Sequence, residues 1–136
     1  MKSITLFCLA FFLLCVVSAN GQNIQTDNVK WNASGLTDLN ANVTTTNECH
    51  FITTGKQVDW VQAKGSYVNS FTVLSTSGTW PELVKFGSVV FSVKSDVLTG
   101  TITFARDNNG ISIKLVLAGG TFPINILYTV TTIEKL

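Results

Sequence analysis

From Val89 to Val130 the chain alternates between bulky apolar residues and smaller or polar ones. Val89, Phe91 and Val93 alternate with Val90, Ser92 and Lys94, and Ile102 and Phe104 with Thr101, Thr103 and Ala105. Ile111, Ile113, Leu115 and Leu117 alternate with Ser112, Lys114, Val116 and Ala118. Ile124, Ile126, Tyr128 and Val130 do so with Asn125, Leu127, Thr129 and Thr131. A period of two sends successive side chains to opposite faces of an extended strand. Each run therefore reads as an antiparallel strand with one buried face. No segment keeps a helical apolar period over three turns; Pro81–Phe86 has room for one turn.

The N-terminal half repeats the pattern less cleanly. Cys49 and Phe51 share a face, in phase with Val43, while Thr44, Thr46, Glu48 and His50 share the other. Val58 and Trp60 alternate with Asp59 and Val61, and Phe71 and Val73 with Thr72 and Leu74. Asn28–Trp31 reads as a short first strand, and Asn23–Leu39 as the one stretch open to irregular structure. Thr, Val and Ile supply 38 of the 115 residues after Gly21, a composition that favours strands.

The connections carry turn chemistry: Thr54-Gly55-Lys56, Lys64-Gly65-Ser66, Ser95-Asp96, Asp107-Asn108-Asn109-Gly110 and Ala118-Gly119-Gly120-Thr121. Ser75–Pro81 is the longest gap. Hairpin-length links make sequential strands sheet neighbours. The expectation is an all-β, antiparallel up-and-down meander of seven to eight strands, closed as a small barrel or packed as a sandwich.

Residues 1–21 read as a secretory signal peptide. Lys2 precedes the uncharged run Ile4–Val17, and Ser18-Ala19-Asn20-Gly21 offers small residues for cleavage. The run is short for a membrane span, which needs about 20 apolar residues. The expected product is a single domain, 22–136, secreted or periplasmic, with no membrane span. Of the three cysteines, Cys8 and Cys15 fall in the signal, so Cys49 has no intrachain partner and the fold must rest on its core. Its phase with Phe51 makes Cys49 a small buried apolar residue.

With 9 Lys+Arg against 8 Asp+Glu there is no basic field for nucleic acid. His50 is the only imidazole, and strand alternation points it away from Cys49. Glu48 shares its face as a surface neighbour. The acids are scattered singly, and Asp107–Gly110 lacks the spacing of a calcium loop. No P-loop, dinucleotide fingerprint, H-E-x-x-H or nucleophile elbow occurs. The reading is a non-enzyme with no catalytic, metal or cofactor residue.

The inward rows are bulky and uncharged, so a mostly filled interior is expected. The alternative is a lipocalin-like barrel carrying a small apolar ligand. The Gly-x-Trp signature of that family is missing, since Val29 stands two residues before Trp31. Thr44, Thr46, Thr72, Thr101, Thr103, Thr129 and Thr131 make the outer faces Thr-rich and poor in charge. The expected partner is a protein or carbohydrate met through that face, with Trp31, Trp80 and Tyr67 as candidate exposed platforms.

Overall fold

A computed structural model describes residues 24–136. The signal peptide expected at 1–21 lies outside the described residues. Eight strands follow one another: β1 (Val29–Asp38), β2 (Val43–Thr53), β3 (Gln57–Gln62), β4 (Tyr67–Thr79), β5 (Gly87–Lys94), β6 (Thr99–Asp107), β7 (Gly110–Ala118) and β8 (Ile124–Lys135). Every neighbouring pair is antiparallel, and β8 returns to pair with β1, so the meander closes as a barrel. Closure leaves no strand pair at which the sheet simply ends.

Short turns set the register. Asp107 Oδ1 accepts the Asn109 amide at 2.8 Å, and Gly110 takes φ of 106°, which a glycine tolerates without a Cβ clash. Thr54 Oγ1 accepts the amides of Lys56 and Gln57, and Ser95 Oγ those of Val97 and Leu98. The segment 80–86 makes a single turn, with the Lys85 amide on the Glu82 carbonyl.

The inward rows meet as one core containing Trp31, Phe51, Trp60, Phe71, Phe91, Phe104, Ile113, Leu115 and Tyr128. Its rings touch in sequence: Trp31 packs on Phe104 at 4.7 Å, Phe51 on Tyr128 at 5.4 Å and Phe91 on Phe104 at 5.6 Å. Edge-on and tilted pairings of this kind add to the burial of apolar area.

The two ends of the barrel differ. Ile24 and Trp80 close the end where β1 begins, and the ion pairs Lys30–Glu134, Lys85–Glu82 and Lys135–Asp27 ring it. At the opposite end the inward-facing Leu36, Leu98, Ile124 and Ile126 are only partly buried. The turns there expose Leu39, Val97 and Phe122.

Three expectations are corrected. The region Asn23–Leu39 holds a full ten-residue strand instead of a short one. Its alternation is masked by a bulge at Ser34, where the pairing to β2 and β8 shifts between Ala33 and Gly35. β4 continues to Thr79 through most of the expected gap, because β5 pairs with it as far as Ser88. Val43 shares phase with Cys49 yet is half exposed, since the β1–β2 hairpin reaches past the barrel mouth.

Candidate functional site

Cys49 and His50 sit on opposite sides of the wall, as adjacent strand residues must. The Cys49 thiol is buried inside, near the Trp60 indole and the Tyr128 phenol. Burial pushes its pKa up to about 11, against smaller opposing effects of Tyr128 and Trp60. A thiol so held is protonated and unreactive at neutral pH. Burial likewise raises the Tyr128 phenol. Although both groups lie near the sulfur, neither Tyr128 OH nor Trp60 Nε1 makes a hydrogen bond of good geometry.

His50 is half-buried on the outside. Desolvation, then the nearby Lys30 charge, lower its pKa, and Glu134 partly opposes them. Glu48 forms no ion pair with it among the described residues. Both line a cleft of about 310 Å³ at the Ser34 bulge, together with Asn32, Lys64 and Thr131. Ala63 and Lys64, beside this cleft, carry φ of 49° and 54°, a left-handed backbone uncommon for residues with a Cβ. Cys49 also lines this cleft, which therefore brings together an imidazole, a carboxylate, an ammonium and a thiol whose raised pKa keeps it protonated. Among the described residues no cluster of His, Cys, Asp and Glu is arranged to hold a metal ion, and no helix is long and apolar enough to cross a membrane.

The register shows what the sequence could not, how the outward threonines line up. Thr46 faces Gly35, Gly35 faces Thr129, Thr129 faces Ser112, Ser112 faces Ala105, Ala105 faces Ser88, and Ser88 faces Thr79. One row of small, uncharged residues thus crosses every strand except β3. The next row, Thr44–Thr37–Leu127–Lys114–Thr103–Val90–Ser77, holds a single charge. Strand spacing places neighbours in a row about 4.8 Å apart. Thr37 and Thr44 share a 3.0 Å hydrogen bond, so part of the hydroxyl inventory is satisfied within the belt.

Of the three aromatic platforms expected at the surface, only Tyr67 is there, 62% exposed. Trp31 and Trp80 are buried against each other, ring centroids 5.7 Å apart. Each indole nitrogen has an internal acceptor, Thr53 Oγ1 for Trp31 and the Lys85 carbonyl for Trp80. A tryptophan whose donor is satisfied inside loses nothing by burying its ring. No family model, curated protein or solved structure matches the chain.

Proposed function

We propose that this chain is a small exported, non-enzymatic binding module that meets a protein partner with the outside of its barrel. The observation that carries the reading is the continuous neutral belt of threonine, serine, glycine and alanine across the sheet. A surface of small uncharged side chains costs less to desolvate than a charged one, and its hydroxyls can bond to the partner. With Trp31 and Trp80 inside, the belt lacks the aromatic rings that stack on sugars, which favours protein over carbohydrate. His50 and the buried Cys49 support no nucleophilic scheme.

The test compares wild type with Thr103→Lys/Thr129→Lys, one charge set into the belt and one into the row beside it. Photo-cross-linking in the exporting cells, read beside a soluble glycan panel, should give protein adducts that the variant loses. Adducts indifferent to these charges, or glycan binding alone, would overturn the reading. Hydrolase activity abolished by His50→Ala would overturn the non-enzymatic part.

A second reading, a carried apolar ligand, draws support from the half-buried Leu36, Leu98, Ile124 and Ile126 at the open end and the unbonded Trp60 and Tyr128 groups beneath. A fatty acid or retinoid that quenches tryptophan fluorescence saturably would favour it.

A further inference from the structure

β4 pairs with β3 over Tyr67–Thr72 but with β5 only from Thr72 onward. Beyond Lys94 the chain leaves β5 and turns through Ser95–Leu98 into β6. Among the described residues, Tyr67–Phe71 therefore face no strand on their β5 side. This interrupts the barrel wall over five residues, about 17 Å at strand rise. A cleft of about 730 Å³ occupies the gap. It is lined by both faces of β4, by Asn69 as well as by Val68, Ser70 and Leu74, which an edge offers and a sheet face does not.

The direction of the free backbone groups follows from one bond. The Val73 amide donates to the Lys56 carbonyl at 2.9 Å, on the β3 side. Backbone polar groups alternate sides along a strand, so those of Val68 and Ser70 point into the gap. Exposed apolar groups flank them: Tyr67, Val68 and Leu74 on β4 and Val97 on the far bank. Natural edges are normally blunted by charge, proline or a cover. Tyr67–Val73 contains neither proline nor a charged residue. The contrast with β2 is informative. Its Val43–Cys49 segment also outruns β3, but there the Ala63–Gly65 turn packs against it and Glu48 stands on it.

We propose that this gap accepts an extended, strand-forming segment of a partner protein, which pairs antiparallel with Tyr67–Phe71 in line with β5. The proposal rests on the reading of the chain as a protein-binding module and names the chemistry of the partner. Backbone pairing supplies affinity and the apolar flanks select alternate side chains. Lys94 at the inner end and Asp96 on the far bank are the only charges lining the cleft. They match an occupant with an acidic residue at its start and a basic one further along.

The probe is a hexapeptide library with alternate β-branched positions and a first residue varied among acidic, neutral and basic types, screened against the full exported chain by fluorescence anisotropy, in which acidic first residues should lead. Binders should slow hydrogen exchange at the Val68 and Ser70 amides and leave Asn69 unchanged. Ser70→Pro, which removes a gap-facing donor, should weaken binding at least tenfold. Val97→Lys, outside every strand, serves as the second variant should Ser70→Pro unfold. Lys94→Glu should shift preference to a basic first residue. No binder in the library, or binders indifferent to Val97→Lys and without protection at Val68 and Ser70, would overturn the proposal. Binders that instead protect the rows around Thr103 and Thr129 would overturn the gap and leave the surface-binding reading standing.

Discussion

The indole nitrogen of Trp31 donates a 3.0 Å hydrogen bond to the hydroxyl of Thr53, and both side chains are fully buried. Thr53 is the one polar residue of the described core, and this bond is why it can be there. Thr53→Val keeps the shape and leaves the Trp31 donor unsatisfied in an apolar surround. The expected loss is about 1–3 kcal/mol. Urea denaturation with an unchanged m-value checks it; an unaltered midpoint would contradict the role given to the bond.

Tyr128 makes the opposite case. Its phenol is buried beside the Cys49 thiol and the Trp60 indole without a hydrogen bond of good geometry, so its desolvation cost is poorly offset. Tyr128→Phe should be neutral or stabilising, by up to about 1 kcal/mol. A clear destabilisation in the same denaturation series would mean that the phenol has a partner in solution.

The Cys49 thiol, with a pKa pushed from 9.0 to about 11, is protonated in the folded chain at neutral pH. At pH 8 its thiolate fraction is about a hundredfold below that of an unfolded cysteine. Iodoacetamide should therefore label native protein at least that much more slowly than protein in urea. A folded pKa above the unfolded one contributes stability that is complete below pH 9 and is lost as pH rises through 11. Cys49→Ala should flatten part of that alkaline decline.

His50 acts at the other end of the scale. Its folded pKa lies below 6.5, so the unfolded chain takes up a proton first as pH falls. The stability it contributes is present above pH 6.5 and is lost below that value. His50→Gln should narrow the gap between urea midpoints at pH 7.5 and pH 5; an unchanged gap would show that His50 is not the group responsible.

Trp80 closes one end of the barrel, its ring against Trp31 and its nitrogen on the Lys85 carbonyl. The fit is tight enough that a Cβ on Gly87 would come within 2.7 Å of the indole. Trp80→Ala should cost about 3–5 kcal/mol, the range for removing a large buried aromatic. Differential scanning calorimetry reads this as a lowered Tm.

The inward rows of β5 to β8 were legible because their alternation is unbroken from Val89 to Val130, and each of those residues is buried or packed on the core. β1 was harder. Asn32, Ser34 and Gly35 look like loop residues, and the Ser34 bulge resets the phase halfway along. What holds Leu36 in a strand is pairing to Thr45 across the β1–β2 hairpin and, on the other side, to Tyr128 near the far end of the chain. The tryptophans failed for a related reason: composition says only that an indole wants one hydrogen bond, and Thr53 and the Lys85 carbonyl supply it inside.

Periodicity and turn residues alone determine an antiparallel meander with a bulky uncharged interior, because the two-residue period and the short links are local properties of the chain. Only the tertiary structure decides that β8 meets β1 and makes a barrel of it. Closure also ranks the outer threonines in rows, plugs one end with Trp80 and leaves Tyr67–Phe71 without a neighbour on one side. These features depend on strand stagger, which is set by contacts between residues far apart in sequence.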